Sequence, residues 1–164
     1  METNNLDILS EEIVNERIQQ HRLYDKTNGK EGELLQFINC YVKNADLSGL
    51  VIDGLYIVES KLENCTFKNA DLRGATLVFS TFIDIDFSHV DLQKGSSLDS
   101  VFENCNFESA NLCRIRFSNA KINNCSFKNA NLLAADVDNC SYEKDCFKTA
   151  LTENTSFYEN NIIE

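Results

Sequence analysis

The stretch NCTFKNADL at residues 64–72 decides the fold, because close copies of it recur later in the chain. Residues 104–112 read NCNFESANL and residues 124–132 read NCSFKNANL, so the copies start at multiples of 20 residues from one another. Asn, Cys, Phe, Ala and Leu keep their places in all three. Self-similarity at a fixed period is typical of architectures in which one structural unit is stacked on the next.

A shorter period of five residues runs inside this repeat. Counted in fives from Phe37 to Ile162, 24 of 26 positions hold a large apolar residue, and only Ser97 and Thr152 do not. A helix turns every ~3.6 residues and a strand alternates its side chains, so neither keeps every fifth residue on one side. A chain that turns a corner after each pentad does. The pattern therefore predicts an all-β solenoid with four sides in each 20-residue coil.

The pentads also resemble a known family. Residues 45–49 read ADLSG and residues 70–74 read ADLRG, two clear cases of the motif A-[D/N]-L-x-x. By this motif, residues 35–164 resemble the pentapeptide-repeat proteins. The resemblance implies a right-handed quadrilateral β-helix, here of about six and a half coils. It also implies that the central Leu or Phe and the small residue two positions earlier both point inward.

Residues 1–34 lack the register, and we interpret them as a domain separate from the β-helix of residues 35–164. Ser10 is suited to cap a helix whose first turn holds Glu11 and Glu12, because acidic residues there favour the helix dipole. The side chains expected on one side of this helix are Ile13, Val14, Ile18, His21 and Tyr24. A short N-terminal α-helical cap over the first coil is the favoured interpretation, since solenoid ends need cover. A helix that binds a partner or directs targeting is the alternative.

Inward residues that are 20 positions apart should stack in ladders along the solenoid. The predicted ladder residues are Phe67, Phe87, Phe107, Phe127, Phe147, Leu72, Leu92, Leu112, Leu132, Cys65, Cys105 and Cys125. A free Cys at the small position behaves as a small apolar residue. Cys113 and Cys146 lie outside these positions, and we expect them to be the more reactive thiols.

Two places depart from the pattern. At Gly95–Asp99 the central residue is Ser97, which allows either a bulge that turns Leu98 inward or an unbroken register. Asp145, Thr155 and Asn160 replace the usual small or apolar residue, which predicts looser ladders in the last coils.

The composition excludes several classes of protein. With 26 acidic and 15 basic residues the net charge is −11, which disfavours direct nucleic-acid binding and anionic membranes. The sequence shows neither a signal peptide nor a membrane-spanning stretch. Seven cysteines in this context predict reduced thiols and a cytoplasmic protein. Metal-ligand spacing and catalytic motifs are absent from the sequence, so we expect no cofactor and no enzymatic activity.

One side of the predicted solenoid is the candidate partner face. The side centred on Phe37, Ile57, Leu77 and their successors carries a net charge of −4, against −1 for each of the others. Its candidate contact residues are Tyr56, Val58, Glu59, Val78, Phe79, Leu98, Asp99, Asp136 and Asp138. Exposed apolar clusters mark docking surfaces. The N-terminal segment could equally cover this cluster.

The last coil is a candidate dimer end. Phe157, Tyr158, Ile162 and Ile163 supply apolar surface there, and an open strand edge invites pairing. Members of the resembled family dimerise end to end through this coil, which predicts a homodimer here.

Two functions remain open. The leading hypothesis is a non-enzymatic scaffold that presents a mildly acidic, partly apolar face to a protein partner. The alternative, implied by a branch of the family, is a DNA mimic that protects gyrase or topoisomerase IV and confers quinolone-type antibiotic resistance. The repeat region has a net charge of only −7. B-DNA of the same length, ~31 Å, carries about 18 charges, so mimicry would be weak.

Overall fold

Short strands centred on the inward residues build the repeat region, in a computed structural model that describes residues 6–164. Strand β1 (Asp7–Ile8) and helix α1 (Glu11–Lys26) precede it. The later strands come in pairs, one pair per coil: β2 (Gln36–Ile38) and β3 (Cys40–Lys43), β4 (Tyr56–Val58) and β5 (Lys61–Glu63), β6 (Thr76–Val78) and β7 (Thr81–Ile83), β8 (Ser96–Leu98) and β9 (Val101–Glu103), β10 (Arg116–Ser118) and β11 (Lys121–Asn123), β12 (Asp136–Asp138) and β13 (Ser141–Glu143), β14 (Ser156–Tyr158) and β15 (Asn161–Ile163).

Each strand pairs in parallel with the strand one coil away. The even-numbered strands from β2 to β14 form a seven-stranded sheet, and the odd-numbered strands from β1 to β15 form an eight-stranded sheet. Partners are 20 residues apart, as in Phe37 opposite Ile57. The other two sides are joined by single bridges, such as Asp46 to Thr66. The predicted parallel β-solenoid, with about six turns and a short N-terminal helix, is confirmed.

A left-handed residue makes the corner of nearly every pentad. The second residue after each central position has φ near +50° to +70° in every pentad from Asn39 to Asn139. Asn, Gly and Asp tolerate this conformation best, because most side chains clash with the backbone there. Nine of these positions hold Asn and three hold Gly. This recurrent Asn was not predicted, although its five-residue spacing in the sequence was a sufficient signal.

The corners differ in how they satisfy the backbone. After the two bridged sides, the N–H of the small residue donates to the carbonyl three residues earlier, as in Ala70 to Phe67 (2.9 Å). After the sheet strands, several of these N–H groups donate instead to the side chain one coil further on, as in Ser80 to Ser100 Oγ (3.1 Å). That hydroxyl in turn donates to the Leu77 carbonyl at 2.8 Å. Ser and Cys at these positions are therefore hydrogen-bonding groups as well as small ones.

On the two bridged sides, the residue before the central position commonly closes a second turn. Asp46 Oδ1 accepts the backbone N–H of Ser48 at 3.0 Å, and Asn131 Oδ1 accepts that of Leu133 at 3.0 Å. Such side-chain bonds to the backbone two residues on are favoured by short Asp and Asn side chains. The Asp and Asn series is thus structural and does not form a catalytic carboxylate array.

Aromatic stacking fills the core. Phe67, Phe87, Phe107 and Phe127 stack face to face at centroid distances of 5.2, 4.8 and 4.8 Å. Phe147 continues the column at 4.7 Å but is tilted by 55°. The inward leucines are also fully buried: Leu72, Leu92, Leu112 and Leu132. Each buried ring of this kind contributes about 1.5–3 kcal/mol to folding.

The N-terminal segment packs on the first coil. Ser10 caps helix α1 by accepting the N–H of Ile13, as expected. Val14, Ile18 and His21 are buried, whereas the placement of Ile13 on the packed side was wrong, because its side chain faces solvent. Strand β1 pairs with β3 and so extends the eight-stranded sheet by one strand. Sequence periodicity could not show this pairing, because a two-residue strand carries no period.

The last coils are regular in part. Thr155 Oγ1 donates to the Leu132 carbonyl (2.6 Å), and Asn160 Nδ2 donates to that of Val137 (2.8 Å). These two residues therefore reproduce the bonds of Ser and Cys, and the expectation of loosening there was wrong. The chain does leave the pattern beside Asp145, where residues 144–149 form turns and the left-handed corner disappears.

The coil at Ser97 keeps its register. Phe117 pairs with Ser97 and Ser118 with Leu98, so Ser97 points inward and Leu98 outward. The bulge with an inward Leu98 was the wrong alternative, because the ladder on both edges of β8 holds the strand in place. The buried hydroxyl of Ser97 has no hydrogen-bond partner among the described residues.

This orphan hydroxyl predicts opposite effects for two neighbouring serines. We expect Ser97→Ala to raise the free energy of unfolding by about 1 kcal/mol, because it removes a buried unpaired group. Ser100→Ala should lower it by about 1–3 kcal/mol, since it leaves the Ser80 N–H unpaired. Urea denaturation of both variants measures the difference. Equal destabilisation by the two changes would contradict the assigned roles.

Candidate protein-binding face

The outward surface of the seven-stranded sheet contains an apolar column. The residue after each inward position is Ile38, Val58, Val78 and Leu98 in β2, β4, β6 and β8. In-register pairing places Ile38 beside Val58 and Val58 beside Val78. Neighbouring members are therefore one strand spacing apart, ~4.8 Å. Sequence analysis missed Ile38, although its position in the same column was a sufficient signal.

Two aromatic residues flank this column. Tyr56 is exposed on β4, and Phe79 follows Val78 at the corner. The Phe79 side chain is 52% exposed and its φ is +53°. A bulky residue with positive φ is a conformational outlier, and such strain costs roughly 1–2 kcal/mol. Neither burial nor backbone preference accounts for Phe at this corner, where three other coils have Asn (Asn39, Asn119 and Asn139).

The other half of the same sheet is acidic. Its outward carboxylates belong to Asp99, Asp136, Asp138 and Glu159, with Arg116 among them. None of the four forms an ion pair with another residue in the range 6–164. Glu159 accepts a hydrogen bond from Tyr158, which raises the pKa of the Tyr158 phenol.

We call this whole surface the mixed face. Its apolar half comprises Ile38, Tyr56, Val58, Val78, Phe79 and Leu98, with Glu59 at the corner. Its acidic half comprises Asp99, Arg116, Asp136, Asp138 and Glu159.

Residues 6–34 leave the mixed face open. Helix α1 is anchored elsewhere on the first coil, by His21 Nε2 at 2.7 Å from the Val51 carbonyl. Arg17 reaches only the edge of the sheet, where it donates to the Gln36 carbonyl at 3.4 Å. Tyr56, Phe79 and Leu98 stay exposed. The described part of the N-terminal segment therefore does not cover this face, contrary to the alternative drawn from the sequence.

The last coil carries a second apolar surface. Phe157, Tyr158, Ile162 and Ile163 are all exposed, on the outermost strand of each sheet. Phe157 also touches the core, with its ring centroid 5.6 Å from that of Phe147.

The cysteines belong to the interior. Cys65 and Cys105 are buried and Cys125 is half-buried. The reactivity expected of Cys113 and Cys146 was wrong: Cys113 is buried, and burial raises the pKa of Cys146 to about 12. Cys146 moves inward because the chain turns at residues 144–149. In residues 6–164, no three His, Cys, Asp or Glu side chains are grouped in a way that could hold a metal ion.

These features define a class: a parallel β-solenoid repeat protein with pentad corners and an open, partly apolar face. The family model for pentapeptide repeats matches eight copies in residues 56–93 and 99–140. The chain belongs to the pentapeptide-repeat family. Solenoid scaffolds of this family are generally non-enzymatic.

Several solved structures are similar to the chain. Rfr23, a pentapeptide-repeat protein from the cyanobacterium Cyanothece 51142, is 15% identical over 89% of this chain and 96% of its own, with a TM-score of 0.40. A trypsin-treated variant of QnrB1, a plasmid-mediated fluoroquinolone resistance protein, is 14% identical over 79% and 91%, with a TM-score of 0.37. HetL from the cyanobacterium Nostoc sp. strain PCC 7120, involved in regulating heterocyst differentiation, is 14% identical over 85% and 92%, with a TM-score of 0.31.

No curated protein sequence matches the chain. Within the described residues, none of the helical structure is both long enough and apolar enough to cross a membrane.

Proposed function

We propose that the protein is a non-enzymatic cytoplasmic scaffold whose mixed face binds a protein partner. The observation that carries this proposal is Phe79. Its side chain is exposed and its backbone is left-handed, so the residue weakens the fold at a position where Asn would strengthen it. Strain that stability does not explain is concentrated at functional sites.

The surroundings of Phe79 support the same conclusion. Tyr56 and the apolar column lie beside it, and together they form an apolar surface bordered by carboxylates. Aromatic anchors in an apolar centre with a polar rim are typical of protein interfaces. The cytoplasmic location is supported by seven unpaired cysteines, since free thiols persist in reducing compartments.

Photo-crosslinking tests the proposal. With benzoylphenylalanine in place of Tyr56, we expect a discrete crosslinked product in the cells that make the protein. The additional change Phe79→Asn should abolish that product while raising the free energy of unfolding by about 0.5–1 kcal/mol. Benzoylphenylalanine at Leu133, on another side, is the control, because Leu133 is as exposed as Leu98 (37% each).

A second control separates the effect of relieving backbone strain from the effect of removing the Phe79 side chain. His89 also has a left-handed backbone, with φ of +58°, and lies exposed on another side. His89→Asn should therefore leave the crosslink intact. A Tyr56 product that persists with Phe79→Asn, or an equal product from Leu133, would contradict the proposal.

The acidic half supports a second candidate, protection of gyrase or topoisomerase IV by DNA mimicry. The whole side carries a net charge of −4, and Arg116 interrupts it. B-DNA of comparable length carries about 18 negative charges. In a supercoiling assay with purified gyrase and ciprofloxacin, we therefore expect neither inhibition nor rescue at micromolar protein. Rescue of supercoiling would establish the second candidate in place of the first.

We also propose that two copies pair end to end through β14 and β15. The exposed apolar residues of these outer strands support this contact. Light scattering should give a dimer mass for the unchanged chain and a monomer mass for Ile162→Glu. Ile13→Glu, at an exposed apolar residue of helix α1 at the opposite end of the solenoid, should remain dimeric. A monomer mass for the unchanged chain over the micromolar range excludes the dimer.

A further inference from the structure

We infer that the partner segment bound by the mixed face is an amphipathic helix, apolar along one half and cationic along the other. The inference rests on the proposed function, that this face binds a protein. It adds the secondary structure, the length and the charge pattern of what is bound.

The backbone of the sheet excludes an added strand on this face. Strands β4 to β12 are each paired on both edges, so their N–H and C=O groups are already used. An extended segment laid across the face would keep its own backbone groups unpaired as water is removed, which is costly. A helix satisfies its backbone internally and can bind through side chains alone.

The spacing of the apolar column favours a helix that lies along the solenoid axis. Ile38, Val58, Val78 and Leu98 recur every ~4.8 Å in that direction. A helix offers one side chain per turn on a given stripe, every ~5.4 Å. An extended segment offers one every ~6.7 Å. The offset between helix and column therefore grows by only ~0.6 Å per step, against ~1.9 Å per step for the extended segment.

The acidic half of the mixed face determines the charge that we expect on the second half of the partner helix. Beyond Leu98 the column continues with Ser118, Asp138 and Tyr158, flanked by Asp136 and Glu159. Carboxylates that form no intramolecular ion pair attract Lys or Arg, and complementary charge steers association and sets the register of a complex. The column from Ile38 to Tyr158 spans six strand spacings, ~29 Å, which corresponds to a helix of about 19 residues.

A designed peptide tests the inference directly. The probe is a fluorescein-labelled peptide of about 19 residues with a helical stripe of Leu in one half and of Lys in the other, on an Ala and Gln background. Its fluorescence anisotropy should rise on titration with the full chain. A peptide of the same composition, with the Leu and Lys positions shuffled so that no stripe forms, should bind at least about tenfold more weakly.

Matched variants locate the binding site. Leu98→Gln should weaken binding about tenfold, whereas Leu133→Gln, at an equally exposed Leu on another side, should not. Asp136→Asn combined with Asp138→Asn should weaken it mainly at low salt. Glu153→Gln, an exposed carboxylate on another side, should have no effect.

The results separate this inference from the proposed function. Equal binding of the striped and shuffled peptides would overturn the inference that the partner segment is a helix. Equal effects of the Leu98 and Leu133 changes would overturn it as well. If the Phe79-dependent crosslink forms but the striped peptide does not bind, the face binds a partner of another shape. In that case only the inference of a helical partner is overturned, and the proposed function stands. If both fail, the proposed function is overturned as well.

Discussion

The parallel hydrogen-bond ladder between consecutive coils is the constraint on which the rest of the structure depends. It joins residues that are 20 positions apart, and it runs through both sheets and the bridged sides. Because side chains follow the backbone, each inward residue must lie on its counterpart in the next coil. The Phe stack is one consequence, and the apolar column of the mixed face is the same rule expressed on the outside.

The ladder also explains why a poor core residue does not break the solenoid. Ser97 replaces a large apolar side chain, yet β8 keeps its register because β6 and β10 pair with it on both edges. At Asp145 the outcome differs. The coil there lacks a paired strand on its bridged side, and the chain forms turns over residues 144–149. Side chains therefore influence the path of the backbone most where the fewest backbone pairs join one coil to the next.

The sequence predicted the fold well because the repeat carries the same information many times over. Every pentad reports on one register, so a single exception such as Ser97 cannot hide it. Features that occur once were harder to predict. Strand β1 has no period, Ile13 follows the helical pattern yet faces solvent, and Cys146 moves inward only because of a local turn. The mixed face was predictable as a set of outward residues, but the strain at Phe79 required backbone angles.

A solenoid of this kind limits how long an apolar contact with a helix can be. The two spacings differ by ~0.6 Å per coil, so the offset reaches ~1.8 Å over the three steps from Ile38 to Leu98. Further steps would bring side chains of the helix between those of the column, where apolar packing is lost. Charge attraction tolerates such offsets, because it weakens gradually with distance. The change from apolar to polar residues after the fourth member of the column, Leu98, falls where close packing with a straight helix would begin to fail.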